Sequence, residues 1–223
     1  MSDAGRTFSA PLDSNYCPSA CVLTAPLSHL LLCDSILKYV TAKHTKVVAK
    51  RGFKILQLAD QVVFKQVSVT GFDYIFIMAG INDISGLVES GAIATHTVFD
   101  VMARFHVLNN VIRARNTHAT LLFASILPRA DRFQLYFPYL VGLNFALEKW
   151  CAQSGGRRVF IPLHRCCLRG GLPRRELYAH DMLHLNGAGV DLLSRAVQQA
   201  LSPAQVRDYI NSSRVQRLAS LPY

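Results

Sequence analysis

The chain is short of charge, and above all short of acid. Charged residues make up only 17% of its 223 residues, and 14 aspartates and glutamates face 24 lysines and arginines. Beside 51% hydrophobic residues, so few charges exclude a disordered body, which needs the opposite balance. Thirteen glycines and nine prolines are too few for a collagen-like or low-complexity chain. Long apolar runs are missing too: Val22–Leu32 and Tyr74–Ile81 are too short to span a bilayer or are broken by polar residues. The opening MSDAGRTFSAPLDSNY has no basic patch followed by an apolar stretch, so no secretory signal is read there. The expectation is an intracellular protein, cytoplasmic or nuclear, built on one sizeable core.

Six cysteines without an export signal are expected to be free thiols rather than a disulfide framework. Cys17, Cys21, His29 and Cys33 do not follow a standard zinc spacing, and Cys33 falls in an expected strand; no metal or other cofactor is predicted. The net charge of +10 is uneven. Arg157, Arg158, Arg165, Arg169, Arg174 and Arg175 crowd one stretch with no acid between them. Such a run is either a solvated loop or a patch for an anionic partner, a phospholipid headgroup or nucleic acid, met through the loop 157–175. No zinc-finger spacing, basic zipper or aromatic RNA platform accompanies it, which weighs against sequence-specific nucleic-acid readout.

Apolar runs alternate with amphipathic stretches, the pattern of repeated β-α units on a parallel sheet. Strands are predicted at His29–Cys33, Lys46–Lys50, Tyr74–Ala79, Thr120–Ile126 and Arg158–Pro162. Helices are predicted at Ser35–Tyr39, Ile55–Phe64, Val98–Arg115, Tyr139–Cys151 and Gly187–Leu201, with Ile84–Thr95 and Arg129–Pro138 read as loops. Five strands with helical crossovers give an α/β fold, a three-layer α/β/α sandwich with a parallel sheet of order 2-1-3-4-5. In that order ligands gather at the carboxyl ends of strands 1 and 3. Residues 1–26 are expected to form a polar arm and 27–202 the domain. In the extension 203–223, Val206, Ile210 and Val215 are spaced for a docking helix.

Both predicted strand ends carry chemistry-bearing residues. Cys33-Asp34-Ser35-Ile36 follows the first strand, where a serine at a strand-to-helix turn offers its hydroxyl to the crevice; Asp34 and Ser35 are equally good helix caps. Gly80-Ile81-Asn82-Asp83 follows the third, and is also simply a set of turn formers. Before the last helix stands His180-Asp181-Met182-Leu183-His184-Leu185-Asn186. An aspartate three residues ahead of a histidine can hold the imidazole in one tautomer and turn its free nitrogen to a nucleophile; a pair of polar capping residues is the plainer explanation. A metal set of His180, Asp181 and His184 lacks the glutamate of the zincin pattern, and no Gly-x-Ser-x-Gly elbow is present.

Taken together and in this order, Asp34-Ser35, Gly52, Gly80-x-Asn82-Asp83 and Asp181-x-x-His184-Leu185, with Asn144 in LNFALEKWC, resemble the blocks of the SGNH (GDSL-type) hydrolase family over residues 29 to about 200. The resemblance implies a flavodoxin-like α/β/α sandwich and a Ser35 nucleophile, with His184 as its base and Asp181 orienting the ring. It also implies an oxyanion hole of the Ser35 and Gly52 backbone N–H groups and the Asn82 side-chain amide; Asp83 would brace its turn. Cys33 stands where the family usually has glycine. The implied activity is an esterase or acetylhydrolase acting on a small ester or acylated molecule. One variant is a lipase-like enzyme in which Arg169, Arg174 and Arg175 steer anionic substrates. The alternative is a catalytically idle scaffold of this fold that binds nucleic acid or another acidic partner, in the manner of the esterase-like modules of retroelement and viral proteins.

Overall fold

A strand packed by helices on both faces is apolar along most of its length, as the runs LLLC, YIFIM and LLFA are. The computed structural model describes residues 28–219. The expected arm at 1–26, with Cys17 and Cys21, lies outside them. The runs HLLLC, TKVVA, YIFIM, TLLFA and RVFI form β1 (His29–Cys33), β2 (Thr45–Ala49), β3 (Tyr74–Met78), β4 (Thr120–Ala124) and β5 (Arg158–Ile161). They make one parallel sheet of order β2-β1-β3-β4-β5. Cys33 lies level with Ala49 on one side and Met78 on the other, so a thiol in the place of a glycine leaves the end of β1 in register.

Alternate side chains feed two cores. Leu30, Leu32, Ile75, Ile77, Leu121 and Phe123 face α1 (Ile55–Val63), α3 (Ala94–Arg115) and α4 (Phe133–Ala152). Leu31, Cys33, Phe76, Leu122, Val159 and Ile161 face α5 (Gly187–Ala200), where Leu193 and Val197 meet them. All of these are essentially inaccessible, and each large apolar side chain so buried contributes roughly 1.5–3 kcal/mol. Cys33, Cys151, Cys166 and Cys167 are free thiols.

Two segments expected to be loops are helical. α2 runs over Ile81–Glu89: Asn82 and Asp83 look like turn formers, but Ile81, Ile84, Leu87 and Val88 recur at helical spacing and pack on the core. Helix α4 starts at Phe133, six residues before the expected start, and carries Pro138 inside it. The proline forfeits one backbone hydrogen bond, which the buried face of Tyr136, Leu140, Leu143 and Leu147 outweighs. After β1 the expected helix is a single 3-10 turn, Ser35–Leu37. The stretch after residue 202 forms α6 (Pro203–Ala219). Ser202 Oγ accepts the Gln205 N–H at 3.3 Å, proline takes the first helical position, and Val206 is fully buried against the α5 side of the core.

Two residues hold the chain tightly around the upper edge of the sheet. Gly189, in the first turn of α5, has no room for a side chain: an added Cβ would stand 2.2 Å from the Leu177 carbonyl oxygen. Asp34 is 1% exposed; its N–H donates to the Met78 carbonyl, and its carboxylate accepts the Ile36 N–H at 3.0 Å. Burial, with the nearby charge of Asp83 adding to it, pushes the Asp34 carboxyl up to about 7 against the pull of that hydrogen bond.

Gly189→Ala should destabilise by about 1–3 kcal/mol and lower Tm by roughly 3–10 °C, read by thermal unfolding; an unchanged Tm would mean that the helix shifts freely. The unfolded chain releases the Asp34 proton near pH 4 and the folded chain only near 7. Between those values the folded chain holds the extra proton, and stability falls as pH rises. Asp34→Asn, which keeps an acceptor for the Ile36 N–H, should flatten that part of a denaturation-against-pH curve.

Candidate active site

The parallel register makes the chains after β1, β2 and β3 leave the sheet at one level, and the residues singled out in the sequence stand there. Asp34, in extended conformation at the end of β1, caps the turn that Ser35 opens. The Ser35 hydroxyl faces out of this turn, and its Oγ lies 3.4 Å from Nε2 of His184, 149 residues later in the chain. On the far side of the ring, Nδ1 is 2.6 Å from Asp181 Oδ2. The short contact makes Nδ1 the protonated nitrogen that donates to the carboxylate, and leaves the lone pair of Nε2 toward Ser35.

Local hydrogen bonds build this geometry. The other oxygen of Asp181 accepts the N–H groups of Leu183 (3.0 Å) and His184 (2.9 Å), which curls Asp181–His184 into a tight turn with Met182 at φ 53°. These bonds, the imidazole first among them, hold the Asp181 carboxyl down to about 2. The His184 carbonyl accepts the Ala179 N–H, and the Met182 carbonyl accepts the N–H groups of Ala130 and Asp131. Asn186 caps α5 through Gly189 N–H (3.0 Å), while its amide donates to the Glu176 and Tyr178 carbonyls. The loop with the histidine is therefore tied both to its helix and to the segment after β4. His180 takes no part in the contact between Ser35, His184 and Asp181, and among the described residues no cluster of three or more ligating side chains could hold a metal.

Gly52 lies in the turn Lys50–Phe53, closed by Phe53 N–H on the Lys50 carbonyl (3.3 Å); its φ of +72° is the kind that glycine adopts freely. No atom lies within 4 Å of where its Cβ would be. Asn82, in the first turn of α2, donates one amide N–H to the Phe53 carbonyl at 3.0 Å, tying this turn to the end of β3. Its second N–H has no protein acceptor among the described residues. Asp83 braces the same corner: fully buried, it accepts the Ile55 N–H at 3.0 Å and the Arg104 guanidinium at 2.7 Å. Asn144 stands within α4, and its amide both accepts from and donates to the Ile126 backbone, at 2.7 and 3.1 Å, just past the end of β4.

Ser35 and His184 open into a cavity of about 230 Å³, also lined by Lys38, Tyr39, Arg51 and Leu185. None of Lys38, Tyr39 and Arg51 stood out in the sequence; the one available signal was that Arg51 directly precedes Gly52. Arg104 was missed as well, although a buried carboxylate such as Asp83 calls for a cation. A larger, mostly apolar cavity of about 340 Å³ against α4, lined among others by Phe137, Val141, Phe145 and Phe160, contains neither Ser35 nor His184. The arginines of 157–175 do not make one patch. Arg157 precedes β5 and Arg165–Arg175 follow it, so the run is divided between opposite ends of a strand. Arg169 and Arg174 both pair with Glu176, just past the run, at 3.2 and 3.1 Å. Arg175 lines a different depression beside Ala130–Leu135. None of these three lines the Ser35 cavity.

No helix among the described residues is long and apolar enough to cross a membrane. No match was found among curated proteins. Solved structures share the fold. A Streptococcus pneumoniae protein described as a candidate platelet activating factor superposes with a TM-score of 0.65 at 21% identity, over 82% of this chain and 87% of that one. The lipase Lip_vut3 from a goat rumen metagenome gives 0.61 at 16% identity, over 78% and 97%. A GDSL-like lipase of Bacteroides thetaiotaomicron gives 0.60 at 16% identity, over 79% and 88%. Residues 33–192, from the end of β1 into α5, match the profile of the GDSL-like Lipase/Acylhydrolase family, and the chain belongs to that family.

Proposed function

We propose that this chain is a serine-dependent esterase of the acetylhydrolase kind, acting on a small ester or acylated polar molecule. Ser35 is the nucleophile, His184 the general base and then acid, and Asp181 the group that orients the ring. The observation that carries this reading is the run of contacts from Ser35 Oγ through His184 to Asp181, 3.4 and 2.6 Å long. The first is long for a hydrogen bond, as such contacts are before substrate tightens them.

In the acylation step Ser35 Oγ bonds to the ester carbonyl carbon while its proton passes to His184 Nε2. The carbon–oxygen bond to the alcohol then breaks, and the same proton leaves on the alcohol. A water gives up its proton to Nε2, attacks the acyl carbon and releases the acid, and Ser35 recovers its proton. The negative oxygen of each tetrahedral intermediate is held by the backbone N–H groups of Ser35 and Gly52 and by the unused N–H of Asn82. The Phe53 carbonyl occupies the first N–H of Asn82 and leaves the second for this oxygen.

Ser35→Ala should lower kcat/KM for 4-nitrophenyl acetate by about 10⁴-fold or more, and a fluorophosphonate should label the Ser35 peptide of the wild type only. Equal rates in both chains would instead favour the idle scaffold. Asn82→Ala should lower kcat by about 10²–10³ with little change in KM, as for the loss of one oxyanion donor; a loss confined to KM would remove Asn82 from that role.

A further inference from the structure

The walls of the Ser35 cavity carry positive charge with no carboxylate paired to it among the described residues. From Ser35 to Ala59 the chain has Lys38, Lys43, Lys46, Lys50, Arg51 and Lys54 and no aspartate or glutamate. Two of these, Lys38 and Arg51, line the cavity together with Ser35 and His184. The carboxylates around the site are already committed. Asp34 is buried on the Ile36 N–H, Asp83 is held by Arg104 and the Ile55 N–H, and Asp181 is bound to His184. Among the described residues neither Lys38 nor Arg51 has a carboxylate within ion-pair distance. The Lys38 ammonium rests 5.1 Å from the centre of the Tyr39 ring, a contact that favours one placement of an otherwise mobile side chain. Arg51 stands in the closed turn with Gly52.

We infer that the ester hydrolysed here carries a negative charge close to the scissile bond, and that Arg51 and Lys38 select it. The inference rests on the reading of Ser35 as nucleophile. Size sets how close the charge must be. The part of the cleft beside Ser35 is small, about 230 Å³, below the usual range for drug-sized ligands. The rest of its lining includes the apolar Leu185 and Val190, suited to a short acyl group. A carboxylate or phosphate a few bonds from an ester held at Ser35 stays inside the part of the cleft that Lys38 and Arg51 line. Both side chains are solvent-exposed, so each is expected to contribute a preference of up to about fivefold, weakened by salt.

The test compares matched esters, each rate corrected for uncatalysed hydrolysis: 4-acetoxybenzoate against 4-acetoxybenzamide for charge on the alcohol, and mono-4-nitrophenyl succinate against 4-nitrophenyl butyrate for charge on the acyl group. At least one anionic member should show the higher kcat/KM, by about 5–25-fold at low salt, with the ratio shrinking between about 0.01 M and about 1 M salt. The ratio should fall by up to about fivefold in Arg51→Gln and again in the double variant with Lys38→Gln, and be retained in Arg51→Lys. Hydrolysis of all four esters with no preference for either anion, or a preference that survives the double variant, overturns the inference and leaves Ser35 as nucleophile. Hydrolysis of none of them, with no phosphonate label on Ser35, overturns both.

Discussion

Parallel pairing of β1 with β2 on one side and β3 on the other sets Cys33 level with Ala49 and Met78. Three chains therefore leave the sheet at the same height, carrying Ser35, the Arg51–Gly52 turn and Asn82. A parallel sheet holds this register because each strand is hydrogen-bonded along its length and its side chains alternate into two separate cores. A slip of one residue would turn Leu31, Phe76 and Leu122 from the α5 side to the α3 side and unseat both cores. The chemistry is thus held in place by packing that meets it only at its floor, through Ile36 and Leu185.

The last part of the site comes from the other end of the chain. His184 belongs to a loop whose backbone is pinned at Ala179 and Met182 and whose exit is capped by Asn186. Gly189 lets α5 approach the Leu177 carbonyl closely enough for that loop to lie over the end of β1. Polar groups around it are used economically. Asp83 and Arg104 neutralise each other beneath the Gly52 turn, and Asp34 is kept from water at the cost of a raised carboxyl pKa. Burying a charge is tolerable only where it is paired or bonded, and each of these carboxylates has backbone N–H groups or a guanidinium to meet it.

Much of this was legible in the residues themselves. HLLLC and YIFIM read as buried strands because apolar residues fill both faces, and the order 2-1-3-4-5 follows from alternating strand and helix. Ser35, His184 and Asp181 stand in short patterns that also read as caps and turns, and their roles came only from the joint resemblance to the family. Helix α2 could not, because Asn82 and Asp83 carry turn chemistry while also occupying the first helical turn, where an acid is favoured. The start of α4 was hidden by Pro138, which costs one hydrogen bond against a face of buried apolar side chains. The arginine run, readable as a solvated loop or as a patch, is a different case. Adjacency in sequence is not adjacency in space when a strand divides the run and Glu176 folds back on two of its members.

The order of apolar and polar residues was enough to determine the layers, the strand order and the chemical types available at the strand ends, because period-two and helical burial patterns are local properties of the chain. The 3.4 Å approach of Ser35 to His184, the partnership of Arg104 with Asp83 and the membership of Lys38 and Arg51 in the same cavity were decided only by the tertiary structure. Each joins elements whose meeting depends on loop paths and helix placement, and those are set by packing across the whole domain.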